Sequence, residues 1–314
     1  MTGPPTRLES ATDCLARRRS CLSVPASNER KMAKALAGPA DEVVFDLEDS
    51  VAVDAKDRAR ELLVAVLRTQ PASSWRRIAV RVNPARSPWC HRDVAALAAL
   101  PDLPGSIVVP KVESAGDLAF VDRLLDGVEA ASGRPRQIGV QALVETATGL
   151  ANVTEIARAG ERLEALLLGY ADLAASLGLT AAPERRLELW LPAQQMLLVA
   201  ARAAGVQAVD GPHLGVDVDD GFAAGVRRAR DLGFDGKWAI HPRQLDALNE
   251  AFTPTQDEAR YAGDVLAALE RAHRQGGAGA ALLDGQMLDE AIAVAARRVL
   301  AQVPRAQVPP EAAR

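Results

Sequence analysis

A (β/α)8 barrel, the TIM-barrel class, with a C-terminal helical extension is the fold predicted by three features of this sequence. Eight short apolar, β-branched runs follow one another between residues 21 and 242. The stretches between them are rich in Ala, Leu, Arg and Glu, with apolar residues recurring near the 3.6-residue helical period. After about Phe252 the strand pattern stops and only helix-like segments remain. The runs are continuous rather than alternating, as parallel strands covered on both faces require. An open doubly wound sheet is the main rival, but no GxGxxG follows the first run.

In order, the runs are CLSVPAS (21–27), DEVVFDLED (41–49), RIAVRVNP (77–84), SIVVPKVE (106–113), QIGVQALVE (137–145), ALLLGYAD (165–172), VQAVDGP (206–212) and KWAIHP (237–242). DAKDRARELLVAVLRT (54–69) and AGDLAFVDRLLDGVEAA (115–131) typify the helices between them. In the tail, TPTQDEARYAGDVLAALERAHR (253–274) reads as a helix with Thr255 at its N-cap and acids in its first turn. QGGAGA (275–280) reads as a hinge or turn, and 282–302 as a turn and a last amphipathic helix. The expected organisation is a flexible tail over 1–16, a catalytic barrel over 17–251, a helical extension or lid over 252–302 and a second flexible tail over 303–314.

The composition, 48% hydrophobic and 25% charged, is that of an ordinary globular chain. A formal charge of −4 gives no global basic field, so nucleic acid is not an expected partner. No run approaches the roughly 18 apolar residues of a membrane span, and the N-terminus has no apolar targeting core. Cys14, Cys21 and Cys90 are odd in number and widely spaced, which suits a reducing cytoplasm better than a disulfide framework or a zinc site.

Chemistry in such barrels gathers at the C-terminal ends of the strands. Those ends carry Asp46, Glu48 and Asp49, then Arg81 and Asn83, Lys111 and Glu113, Glu145, Asp172, Asp210 and His241. Acids outnumber bases, and a divalent cation held by two carboxylates would relieve their repulsion. Glu145 and Asp172, from neighbouring runs, are the natural pair. Each acid taken singly also suits capping the next helix. Arg81 equally suits neutralising the DLED acids, and His241 before Pro242 suits a hydrogen-bonded corner. No GxSxG, HExxH or P-loop pattern is present. An arginine that grips a carboxylate bidentately, beside a dicarboxylate cation site, fits carbon–carbon bond chemistry next to a 2-keto or 3-hydroxy acid. A Schiff-base aldolase with Lys111 as nucleophile is the competitor, but the surrounding acids would keep that lysine protonated.

RRRSCLSVPASNERKMAKAL, VVFDLEDSVAVDAKDRAR, VRVNP, VVPKVESAGDL, ALVETATGLAN, LLLGYADLAASLG, AARAAGVQAVDGP and GFDGKWAIHPRQL together resemble the citrate lyase beta-subunit-like, malyl-/citramalyl-CoA lyase-like branch of the HpcH/HpaI aldolase family. The likeness runs from about Arg17 to Leu300. It implies a TIM barrel and a Mg2+-dependent lyase that cleaves or forms 3-hydroxyacyl-CoA thioesters such as malyl-, citramalyl- or citryl-CoA. The products would be an acyl-CoA and a 2-keto acid.

The resemblance also implies residue roles. Glu145 and Asp172 become the metal ligands, with Glu145 also at the substrate, and Arg81 grips the 2-keto acid carboxylate. Asp46 and Glu48 hold metal-bound waters or orient Arg81. Arg19, Lys34 and Lys111 meet CoA phosphates or the substrate. Asp289, in DGQMLDEA, would enter a neighbouring subunit's site within a homotrimer or hexamer. Alternatives are a malyl-CoA thioesterase or free-acid aldolase on the same site, or a citrate-lyase beta subunit acting on an acyl-carrier-protein thioester. Tyr170, Pro192 and His213 depart from the family pattern near the site.

Overall fold

The computed structural model describes residues 17–179, 187–274 and 281–303. The predicted tail over 1–16, the turn over 275–280 and residues 304–314 lie outside the described residues. Eight parallel strands close into a barrel in chain order, with β8 paired back to β1. They are β1 (Ser20–Pro25), β2 (Glu42–Asp46), β3 (Ile78–Arg81), β4 (Ser106–Val109), β5 (Gly139–Val144), β6 (Leu163–Leu168), β7 (Gln207–Asp210) and β8 (Gly236–Ala239).

Between the strands lie α1 (Glu29–Leu36), α2 (Lys56–Arg68), α3 (Cys90–Ala98), α4 (Ala115–Ser132), α5 (Ala147–Ala151), α6 (Val153–Ile156), α7 (Tyr170–Ser176), α8 (Leu191–Ala204) and α9 (Asp220–Leu232), followed by α10 (Leu245–Ala251). Polar residues punctuate this alternation. Asn28 caps α1 by accepting from the Lys31 N–H, Ser114 and Asp117 form a capping box on α4, and Asp219 caps α9.

Strand phase decides which side chains fill the barrel. Cys21, Val44, Ala79, Val108, Leu143, Leu167, Val209 and Trp238, one from each strand, form a single buried cluster. Burying a Val or Leu contributes about 1.5–3 kcal/mol, so this plug gives the strand tips above it a rigid base. Residues one step out of phase, such as Asp210, face the helix layer.

The chain divides into two compact units, Met1–Glu250 and Ala251–Arg314. The second contains α11 (Gln256–Arg274), β9 (Ala281–Leu283), β10 (Gln286–Leu288) and α12 (Glu290–Gln302). Its own core joins Ala262, Val265 and Ala268 to Leu288 and Ala296. Thr255 caps α11 as its sequence predicts: its hydroxyl accepts from the Glu258 N–H, and the Glu258 carboxylate accepts from the Thr255 N–H.

The expectation of a tail without strands is corrected here. Leu283 and Gln286 flank a two-residue turn, Asp284–Gly285, with φ of 49° and 80°, and β9 and β10 pair antiparallel. An Asp-Gly turn with both φ positive is a strong hairpin signal. Strands of three residues are too short to show an alternating pattern. Among the described residues no helix is long and apolar enough to cross a membrane.

Candidate active site

Strand register builds the first half of the site. Asp46 ends β2 opposite Arg81, which ends β3. Arg81 Nε donates to Asp46 Oδ1 and Nη2 to Oδ2, each at 2.7 Å, a two-pronged ion pair. The same carboxylate accepts from the backbone N–H groups of Glu48 and Ser50, which fixes the turn after β2. Burial alone would raise the Asp46 pKa, but the Arg81 hydrogen bonds, the Arg81 charge and the turn amides hold it below the ordinary value. Arg81 Nη1 lies 3.0 Å from Glu48 Oε2, an ion pair without hydrogen-bond geometry, so that buried oxygen keeps an open lone pair. The guanidinium also stands 6.0 Å from the Trp238 ring centre, on the barrel plug.

The second half is an acid cluster around Lys111. Its ammonium pairs with Glu48 Oε1 at 2.5 Å and Asp49 at 3.4 Å, and lies 3.5 Å from Asp172 Oδ1 and 4.0 Å from Glu145 Oε1. The Lys111 backbone N–H donates to Glu145 Oε1 at 3.0 Å. That geometry holds Lys111 at φ 52°, an unusual backbone state for a residue with a side chain and one that recurs at functional sites.

Glu145 is buried, and its pKa is pushed up to about 8 by burial and by the charges of Glu48 and Asp172, against Lys111 and Arg81. Burial alone would lower the Lys111 pKa. The hydrogen bond to Glu48 and the charges of Glu145, Glu48 and Asp172 instead raise it well above its ordinary value. A lysine held this firmly protonated is a poor Schiff-base nucleophile.

These residues fit a divalent cation. Glu145 and Asp172 converge on one positive charge, and Glu145 resists ionising without more of it. Lys111 supplies an ammonium as a partial stand-in. Among the described residues no group of three or more His, Cys, Asp or Glu side chains is arranged around one metal position. A cation held by Glu145 and Asp172 would complete its shell with water and substrate oxygens, the usual habit of Mg2+.

Local structure positions both acids. The helix after β5 is capped by Thr146, whose hydroxyl accepts from the Gly149 N–H at 3.0 Å, and Glu145 is left to face the site. Gly169 separates β6 from α7, and a Cβ there would come within 2.5 Å of Glu145 Oε2, so only glycine permits this approach. Asp172 is not at a strand tip, as its sequence run suggests. β6 ends at Leu168, and Asp172 sits in the first turn of α7. The Gly-Tyr-Ala-Asp run turns helical because β6 has already reached the barrel mouth.

Other expected residues lie elsewhere. Arg19 is a correction: it precedes β1, at the N-terminal end of the barrel. There its Nε and Nη2 donate to Asp41 and its Nη1 to the Asn249 carbonyl, so CoA contact at the C-terminal mouth is not open to it. Beside it, buried Arg18 pairs with Glu42 and Glu164 to close that end. Lys34 is exposed in the last turn of α1 and is not drawn into the acid cluster. Asp289 caps α12, its Oδ1 accepting from the Ile292 N–H at 3.1 Å.

His241 caps the turn after β8, as its corner reading expects. Asp210 faces outward onto Lys237. Sequence reasoning missed Trp238 beneath Arg81 and Lys56, whose ammonium donates to the Leu47 and Glu48 carbonyls. Neither carries a motif; only strand phase could have placed Trp238 on the barrel axis.

Residues 19–242 match the HpcH/HpaI aldolase/citrate lyase family. The chain is 37% identical to the L-malyl-CoA/beta-methylmalyl-CoA lyase of Rhodobacter capsulatus, over 93% of this chain and 97% of that one. It is 41% identical to the (3S)-malyl-CoA thioesterase of Cereibacter sphaeroides, over 90% and 94%. Among solved structures, protein CitE of Mycobacterium tuberculosis in complex with magnesium, acetoacetate and coenzyme A superposes with a TM-score of 0.71 at 31% identity, over 90% of this chain and 97% of that one. On its barrel, its sequence and these likenesses, the chain belongs to the HpcH/HpaI aldolase/citrate lyase family.

Proposed function

We propose that the protein is a Mg2+-dependent carbon–carbon lyase that cleaves, or in reverse forms, a 3-hydroxyacyl-CoA of the malyl- or citramalyl-CoA type. The observation that carries this is the convergence of Glu145 and Asp172 on one positive charge, on the barrel mouth where Asp46 fixes Arg81. Bound there, Mg2+ would act as a Lewis acid toward the oxygen that becomes the keto group.

The protein's own side chains would do the rest. Arg81, locked by Asp46, presents its remaining N–H groups to the carboxylate of the 2-keto acid half. Glu48 and Lys111 set the charge balance of the mouth. A base takes the hydroxyl proton, and the bond between the hydroxyl-bearing carbon and the acyl α-carbon breaks. Its electron pair passes to the thioester as an enolate, which is then protonated to the shorter acyl-CoA.

Asp289 is the proposed base, entering from a neighbouring copy in a homotrimer or hexamer. Exposed Leu282 and Met287 on the hairpin just before it support that reading, since they offer apolar surface for a second copy to cover. Asp289→Asn separates its two roles, because asparagine caps a helix as well as aspartate but cannot accept the proton. The expected result is turnover lowered by about 10²–10⁴-fold, with Mg2+ affinity and melting temperature unchanged. Full activity would remove Asp289 from the mechanism.

The higher identity to the thioesterase favours a second reading, in which water attacks the thioester on the same scaffold. One mass-spectrometric assay decides between them. Both enantiomers of malyl-CoA and citramalyl-CoA, and citryl-CoA, are offered with Mg2+ or with EDTA. A shorter acyl-CoA plus a 2-keto acid, lost with EDTA, is the expected outcome. Free CoA with an intact hydroxy acid would identify hydrolysis. No turnover of any free CoA ester would point to a carrier-protein thioester as substrate.

A further inference from the structure

Outside the barrel wall, behind the acid cluster, four buried polar side chains close on one another. The Tyr170 hydroxyl donates to Asp210 Oδ1. Gln194 Nε2, from α8, donates to the Tyr170 hydroxyl at 2.8 Å and to Asp210 Oδ1 at 3.0 Å. Lys237 Nζ donates to Asp210 Oδ2 and to the Gly211 carbonyl, each at 2.5 Å. The Tyr170 ring lies 4.6 Å from that of Trp190, and a Cβ on Gly211 would come within 2.7 Å of it. Gln194 is 2% exposed, yet its Oε1 finds no hydrogen-bond partner among the described residues. A buried acceptor without a donor is destabilising, so packing alone would be better served by leucine or methionine. The amide is there for what its nitrogen holds.

What it holds is the root of α7. Tyr170 begins this helix directly after Gly169, whose N–H donates to the Val144 carbonyl at the tip of β5. At 3.6 residues per turn, side chains two positions apart point about 200° from each other. Tyr170 therefore faces the helix layer while Asp172 faces the mouth, where it meets Lys111. Fixing the Tyr170 hydroxyl fixes the rotation of the first turn, and with it the direction of Asp172.

We propose that Tyr170, clamped by Asp210, Gln194 and Lys237, is a positioning residue that aims the Asp172 carboxylate at the cation site. The inference rests on Asp172 being a metal ligand. It is tested by titrating the metal-free, full-length protein with Mn2+ and reading the free ion by electron paramagnetic resonance, with Mg2+ as competitor. Melting temperature is measured in parallel in EDTA.

Tyr170→Phe keeps the ring and removes one hydroxyl, and Gln194→Leu removes the clamp from the other side. Each is expected to raise the Mn2+ dissociation constant by about 10-fold, the scale of an outer-sphere support to a metal ligand. A clamp that serves only folding would lower the melting temperature and leave Mn2+ affinity within about twofold of the parent. That result, with Asp172→Asn binding no Mn2+, would overturn the inference and leave the metal site standing. Parental Mn2+ affinity in Asp172→Asn would instead remove the metal site itself, and the positioning role with it. If Tyr170→Phe does not fold, Gln194→Leu decides by the same readings.

Discussion

Glu145→Gln and Asp172→Asn are each expected to lower Mg2+-dependent turnover by about 10³-fold or more. Losing a Lewis-acid contribution of several kcal/mol costs a factor of ten for every ~1.4 kcal/mol. The amides keep the shape of the site. Glu145→Gln also retains an oxygen for the Lys111 N–H, so the loss would report on charge rather than collapse.

Stability supplies an independent reading. Glu145 is a buried acid pressed by Glu48 and Asp172, with a pKa pushed up to about 8. A neutral glutamine relieves that pressure, so in EDTA the variant should melt no lower than the parent. A ligand that binds only the native state stabilises it by RT ln(1 + [L]/Kd). The parent should therefore gain melting temperature on adding Mg2+, and Glu145→Gln should gain little. A variant with parental turnover and a parental response to Mg2+ would show that these acids serve only to balance Lys111.

Arg81→Lys carries the other large effect, expected as a loss of about 10²–10⁴-fold in kcat/KM. Arg81 meets Asp46 through two parallel hydrogen bonds and reaches Glu48 with its third nitrogen. Lysine offers one compact ammonium and cannot span both acids while presenting a planar fork to a substrate carboxylate. Lysine keeps the positive charge but loses the two-pronged geometry to buried Asp46, so some loss of melting temperature should accompany the change. The deciding measurement is pyruvate or glyoxylate binding, read as product inhibition. If Arg81 grips the carboxylate, the inhibition constant rises with the fall in kcat/KM. If Arg81 only neutralises Asp46 and Glu48, melting temperature falls and the inhibition constant stays put.

Barrel, strand order and most tip residues were legible because each is encoded locally. An apolar run, a polar tip and a capped helix fit within about 30 residues, and the unit repeats eight times. Asp46, Arg81, Lys111 and Glu145 could be read as candidate site residues because strand ends in such barrels share one face. His241 as a corner residue followed from the same local rules. The β9–β10 hairpin escaped although Asp284–Gly285 announced it, since three residues leave no period to detect.

What the sequence determined was a set of short-range preferences: which segments are strands, which are helices, and which polar groups stand at their ends. Tertiary structure alone decided where those groups point and what they meet. It placed Asp172 on a helix turn rather than a strand, and turned Asp210 outward to Lys237 while Val209 faced in. It also gathered four carboxylates around the Lys111 ammonium. The physical reason is that side chains on a strand alternate faces with period two, so a one-residue change of phase exchanges core for helix layer. That phase is fixed only when all eight strands close and pack.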